Sequence, residues 1–305
     1  MVDKLEQKIK DSVESVVSKI ERPFGIFLSG GIDSTLLAAL TKPDVAITCR
    51  LPYGKKYDEF EDACATVKHL GLRHEVVTFT KKDFQENISD AVNMTKPTTH
   101  FSLVPMYMLF KKVQELGLET VLSGEGLDEY LGGYASYTFI TNEQKFYEQP
   151  ELENYKPLLD RYLGTPLERF ARILGKKPEE LKPYWDKYSN LLSKIGYADL
   201  HLRGIEDMEL QLAKGFGVNL VYPYMTKELE EFCFKEIPDD EKIKGFTTKY
   251  ILRKIAEKYI PKHVAWRKNK MGGAVAPIGL WFGQEDEFDK TKYLELQSSL
   301  WKSQQ

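Results

Sequence analysis

The apolar and polar positions of this chain change period several times, and those changes mark out its elements. The charged, amphipathic stretch from about Lys4 to Glu21 predicts a first helix. "FGIFLS" then reads as a buried strand, and "DSTLLAALTK" as a helix that Pro43 stops. "VAITCRL" is a second, β-branched strand. The following "YDEFEDACATVKHLG" places Phe60, Ala63, Val67 and Leu70 on one helical face, with Gly71 as its C-cap. "HEVVTF" predicts a third strand, "KKDFQENISDAVN" and "VPMYMLFKKVQELG" predict helices, and "ETVLSG" a fourth strand.

Strand and helix alternating in this way imply an α/β fold, a doubly wound parallel sheet with helices on both faces. Past about Tyr134 the alternation gives way to mostly helical segments with polar loops, rich in tyrosine and charge in "NEQKFYEQPELENYKPLLDRYLG" and "KPEELKPYWDKYSNLL". The reading is therefore one domain over 1–305, with an α/β part in 1–135 and a mostly helical part in 136–305 that completes the site. "TTKYILRKIAEKYIP" predicts a further amphipathic helix, and the closing "EDEFDKTKYLELQSSLWKSQQ" reads as polar and peripheral.

Composition narrows the classes. With 305 residues, 42% hydrophobic, the chain can bury one large core or two smaller ones. A formal charge of -3 and pI near 6.1, with only isolated pairs such as Lys55-Lys56, offer no basic surface for nucleic acid. No signal-peptide core and no run of 18 apolar residues appears, so no membrane partner is expected and the cytoplasm is the plain location. Cys49, Cys64 and Cys233 are scattered and odd in number, which suits neither a disulfide framework nor a zinc site.

Chemistry first shows in "FGIFLSGGIDSTLLAAL", where a strand runs directly into Ser-Gly-Gly-x-Asp-Ser and a helix. Gly30 and Gly31 let backbone approach a ligand closely. Ser29 and Ser34 add hydroxyl donors, and the helix start adds N–H groups and a positive dipole end. Together with Leu28 at the strand end, these form a candidate polyphosphate site. Asp33 opposes phosphate unless it holds magnesium, which favours carboxylate oxygen. The residue types leave open that Asp33 only caps the helix. No lysine follows the glycines, so this is not the Walker pattern.

"SGGIDS" resembles the pyrophosphate loop of the ATP pyrophosphatases. "VLSGEGLDEYLGGY" resembles the asparagine synthetase signature, and further blocks resemble that family in order: "YDEFEDACATVKHLGLRHEVV", "PTTHFSLVPMYML" and "TKYILRKIAEKYIPKHVAWR". The resemblance covers roughly Val16 to Phe282 and is weakest between about Thr141 and Val218. It implies cleavage of ATP between the α and β phosphates, adenylation of a carboxylate, most simply L-aspartate, and displacement of AMP by ammonia. Asp33 and Asp128 would then be the magnesium carboxylates, Ser123 and Gly124 would lie against the nucleotide, and Glu125 would take a proton as ammonia attacks. For Glu129, an acid favoured by a helix N-terminus remains open. "AWRKNKMGGAVAPIGLWF" resembles the family's lysine-bearing segment with one residue extra. Lys270 aligns as the phosphate lysine and Lys268 as its competitor.

The chain departs from the family pattern in two places. It starts Met1-Val2-Asp3, without the cysteine nucleophile of the family's glutaminase domain, so free ammonia or a separate glutaminase partner is expected. In "GVNLVYPYMT", Asn219, Val221 and Thr226 stand where the family has glutamate, arginine and aspartate, and His100 stands where many relatives carry aspartate; these leave the acceptor open. NAD synthetase shares the first loop but accounts for neither the second nor the lysine segment. A nucleotide-binding regulator would have no need of Asp33, Glu125 and Asp128 together.

Overall fold

The computed structural model describes residues 1–54, 57–98, 100–141, 164–203, 205–267, 276–287 and 289–303. Five parallel strands form one sheet: β1 (Phe24–Phe27), β2 (Val45–Arg50), β3 (Arg73–Thr78), β4 (Thr120–Leu122) and β5 (Asn219–Val221), in the order β3-β2-β1-β4-β5. Gly25 pairs with Val45 on one side and Val121 on the other. All four residues of β1 and all three of β4 are buried. Because side chains alternate between faces, that burial requires cover on both sides of the sheet. The four strands expected up to residue 122 are present; β5 was not expected. It lies in the stretch read as helical, where three residues are too few to show a period of two.

The chain divides into two compact units. The sheet unit comprises Ser15–Gly124, Ile205–Pro223 and Tyr259–Gln305. Its helices include α2 (Ile32–Thr41), α3 (Phe60–Leu70), α4 (Lys81–Thr95) and α5 (Leu103–Glu115), while α1 (Val2–Val17) precedes the sheet. One face of the sheet packs Phe27, Ile47, Val77 and Val121 against Phe84, Ile88, Phe110 and Val113. Phe27 meets Phe110 edge-on at 5.1 Å, a geometry that adds about 0.5–1.5 kcal/mol beyond the buried area. In α3 the buried residues are Ala63 and Thr66, whereas Phe60, Val67 and Leu70 are half-buried. Gly71 caps α3 in the left-handed region, as its position after the last apolar residue predicted.

The C-terminal stretch is a correction. Helix Thr291–Lys302 carries fully buried Tyr293 and Gln297. Tyr293 donates to the His100 carbonyl at 2.8 Å, and Gln297 exchanges bonds with the Thr98 backbone. Its high polar content had concealed one apolar stripe, and a glutamine whose amide satisfies buried backbone.

The helical unit comprises Met1–Glu14, Glu125–Gly204 and Tyr224–Lys258. It contains α6 (Leu127–Leu131), α7 (Ala135–Thr141) and the longer helices Pro166–Leu174, Leu191–Leu202 and Lys227–Glu236. Tyr137, Phe170, Leu181, Trp185, Ile195 and Ile243 share its core. Within that core Tyr137 donates to Asp199 at 2.5 Å, and Arg203 grips Asp199 through two nitrogens at 2.8 and 2.6 Å. Lys242, fully buried, donates to Ser193 at 2.9 Å, and burial pulls its ammonium down to about 8.

Candidate active site

The strand order reverses between β1 and β4, so the loops leaving these two strands flank a topological switch point, where open α/β sheets bind ligands. The first loop is Ser29–Ser34. Gly30 has φ +79°, and a Cβ there would lie 2.7 Å from the Glu59 carbonyl and 2.9 Å from the Ala63 nitrogen. Only glycine fits this backbone against the first turn of α3. The two serines stitch the loop to itself. The Ser34 hydroxyl accepts from the Ser29 amide at 3.2 Å and lies 3.1 Å from the Ser29 hydroxyl, which itself accepts from the Gly31 amide at 3.1 Å. Their hydroxyls therefore set the loop's shape, a task the sequence alone did not reveal.

Asp33 is not a helix cap. Gly31 occupies the N-cap with extended backbone, and Asp33 is the second residue of α2, 8% exposed. A carboxylate in a first turn is favoured by the dipole. Leu28 is buried in the strand end: its amide donates to the Ile47 carbonyl at 2.9 Å and its own carbonyl accepts from Thr48 at 2.8 Å. Ser123 likewise extends the ladder, donating to the Val221 carbonyl at 2.9 Å.

Gly124 brings the end of β4 to this loop. A Cβ on it would stand 3.0 Å from the Ser34 nitrogen and 3.3 Å from the Asp33 carbonyl carbon. The backbone after β4 thus lies on the first turn of α2, and the structure brings Ser29, Gly30, Gly31, Asp33, Ser34 and Gly124 together within the sheet unit. No group of three or more His, Cys, Asp or Glu able to hold a metal is found among the described residues. A hard cation held by carboxylate plus ligand phosphate needs fewer protein donors, and a buried acid beside a backbone cradle suits it.

Gly124 ends the sheet unit and Glu125 begins a stretch of the helical one. Glu125 is half-buried. Asp128 receives the Lys249 ammonium at 2.6 Å, and Lys249 is 1% exposed with left-handed backbone at φ +51°. The second glycine of Gly132-Gly133 makes room for this pair. A Cβ on Gly133 would lie 1.7 Å from Asp128 Oδ1 and 2.2 Å from Lys249 Cε. Glu129 is buried and accepts from the Tyr134 hydroxyl at 2.7 Å; its Oε2 has no hydrogen bond among the described residues. Burial, then Asp199, Asp128 and Glu125, push its carboxyl well above the usual range. Glu129 does stand in the first turn of α6, the helix-start position left open for it above, but it is buried there.

Sequence reading missed two basic residues. Lys249 sits in "TTKYILR", read as an amphipathic helix within a block of the family resemblance but given no role, and Arg267 in "AWRKNK", where attention went to the lysines. Arg267 bridges Glu59 at 2.5 Å and Asp62 at 2.7 Å. Lys268 and Lys270 lie outside the described residues. Asn219, exposed, reaches Thr120 at 3.4 Å, Val221 is half-buried in β5, and Thr226 lies 2.8 Å from the Ser12 hydroxyl at the start of helix Lys227–Glu236.

A family model described as Asparagine synthase matches residues 4–293. The chain is similar to asparagine synthetase [glutamine-hydrolyzing] 1 of Bacillus subtilis, 28% identical over 93% of this chain and 51% of that protein. It is also similar to asparagine synthetase B [glutamine-hydrolyzing] of Escherichia coli, 25% identical over 88% and 44%. It spans about half the length of these curated relatives. Among solved structures, an NH3-dependent NAD synthetase from Campylobacter jejuni aligns at TM-score 0.32 and 20% identity, over 70% of this chain and 96% of that one.

Proposed function

We propose that this chain, which belongs to the asparagine synthase family, is the synthetase part of an ATP-dependent amide-forming ligase whose acceptor carboxylate is L-aspartate. The observation that carries this reading is the cradle at the switch point. There, Gly124 after β4 lies on the first turn of α2, which bears Asp33 and follows the self-bonded serine loop. Such a cradle presents backbone and a helix N-terminus to a polyphosphate with no side chain in the way.

In the proposed reaction, an acceptor carboxylate oxygen bonds to the α-phosphorus of ATP and the α–β bridge breaks, releasing pyrophosphate. The Gly30–Ser34 loop holds the leaving pyrophosphate. Ammonia nitrogen then bonds to the acyl carbon and AMP leaves with the carbon–oxygen bond's electrons. Glu125, half-buried, takes the proton that nitrogen sheds. Asp33 and, from the second loop, Asp128 are the carboxylates we assign to magnesium, which when bound neutralises phosphate oxygens. Lys270 is assigned to phosphate, with Lys268 as the competing lysine. The ammonia is either free or delivered by a glutaminase, and the cytoplasm is the proposed site of action.

The test is release of pyrophosphate and AMP from MgATP with aspartate, nicotinate adenine dinucleotide or no acceptor, using ammonium and then glutamine as nitrogen source. Release of both that requires aspartate and ammonium is the expected result. No acceptor-dependent release over a panel of carboxylates would remove the enzyme reading. Release with another carboxylate alone would replace the acceptor and keep the reaction class.

A further inference from the structure

The first loop lacks the lysine that a phosphate cradle often carries within itself, and the structure supplies a cation there from 233 positions past Ser34, at Arg267. The Arg267 side chain is 12% exposed and follows the short helix Lys262–Ala265. Its Nη1 donates to Asp62 at 2.7 Å and its Nη2 to Glu59 at 2.5 Å. Those acids begin α3, the turn on which Gly30 rests: the Cβ that Gly30 lacks would lie 2.7 Å from the Glu59 carbonyl and 3.1 Å from Asp62 Cβ. On the next residue, a Cβ at Gly31 would come within 4.0 Å of Arg267 Nη2. Guanidinium, α3 turn and both glycines are thus one packed cluster inside the sheet unit.

We propose that Arg267 is a binding residue for the leaving pyrophosphate, aimed at the Gly30–Gly31 backbone by Glu59 and Asp62. This rests on the reading of that loop as a polyphosphate site. Burying a guanidinium is tolerable only when it is paired, and two carboxylates hold its plane and direction. A cation already stripped of most of its water and fixed in direction binds an incoming anion with little further ordering. It also suits a leaving group: charge grows on the β-phosphate as the bridging bond breaks, and a fixed cation beside it acts without rearrangement. Arginine matches phosphate through paired N–H groups, a geometry lysine lacks.

The experiment measures binding of inorganic pyrophosphate, MgATP and AMP to the full chain by calorimetry, for the wild type, Arg267→Gln and Arg267→Lys. Arg267→Gln is expected to weaken pyrophosphate and MgATP about tenfold or more, the scale of one charge-assisted bond, while AMP changes less than about twofold. Arg267→Lys is expected to keep AMP affinity and recover only part of the pyrophosphate loss. Equal weakening of all three ligands by Arg267→Gln would make Arg267 a brace and overturn the proposal, as would no weakening at all. Should Arg267→Gln not fold, Arg267→Lys decides alone, because wild-type pyrophosphate affinity in it overturns the proposal. A wild type that binds MgATP no better than AMP, and pyrophosphate not at all, would instead count against the loop reading itself.

Discussion

The two loops that carry the family resemblance are built on opposite principles. Ser29–Ser34 is held by neutral contacts: serine hydroxyls bonded to backbone, and glycines pressed on helix turns. Glu125–Tyr134 is a charged assembly, with three acids within five residues, one bound by Lys249 and one buried under Tyr134. A basic residue from much later in the chain nevertheless stands beside each: Arg267, paired with Glu59 and Asp62 on the α3 turn against Gly30, and Lys249, paired with Asp128 of the second loop itself. A motif can specify glycines and acids locally because they act through backbone shape and short side chains. The compensating base must come from wherever the fold brings one.

The sharpest separation of the two loops is chemical. Asp33→Ala should cut pyrophosphate release at least about 100-fold, the scale of losing a main electrostatic stabiliser. Glu125→Ala should leave nucleotide binding near normal and slow amide formation about 100-fold, as expected for losing a general base. Quench-flow separation of pyrophosphate from amide product checks both. Equal loss of the two products in both variants would erase the distinction.

Next is the packing beneath each loop. Gly133→Ala forces a methyl to within 1.7 Å of Asp128 and should cost more than about 3 kcal/mol, or prevent folding. Gly124→Ala meets Ser34 at 3.0 Å and should cost only about 1 kcal/mol while weakening ATP binding. Urea denaturation with nucleotide titration reads both. A larger stability loss at Gly124 would reverse the assignment of the charged loop as the tighter one.

The helical unit should also carry a pH signature. Lys242 ionises near 8 in the fold against 10.5 in its ordinary state, with burial the first cause. Between those values the unfolded chain holds a proton that the folded one has shed, so stability rises with pH across about 8 to 10.5. The gain relative to Lys242→Met should approach about 3 kcal/mol. Denaturant midpoints of both proteins over that range measure it, and parallel curves would mean Lys242 is solvated. The smallest effect belongs to the sheet edge. Arg73 and Glu75 pair at 2.6 Å on exposed β3, and Arg73→Ala should change stability by less than about 0.5 kcal/mol in a thermal melt.

Much of the sheet unit was legible in advance. β1 to β4 and the helices between them have runs long enough to show a period, and Gly71 closes α3 where the pattern stops. β5 was not legible, because Asn219–Val221 becomes a strand only by pairing with β4. Nor was the buried role of Tyr293 and Gln297, set in a stretch whose composition looked like surface. At the site, Gly30, Gly31 and Asp33 stood out, but the packing neighbours that require a glycine did not. The Gly30 and Gly133 requirements come from Glu59 and Asp128, and only coordinates show that these are the neighbours.

The sequence by itself determined the parallel α/β character, the two Gly-rich loops at strand ends and the family to which they belong, because these rest on short-range patterns and residue types. Tertiary structure alone decided that the serines brace their own loop, that Glu129 is buried, that Lys249 meets Asp128, and that Arg267 meets Glu59 and Asp62 at the start of α3. Those are contacts between segments far apart in the chain. They exist only after the core has brought the backbone together, and no local periodicity records them.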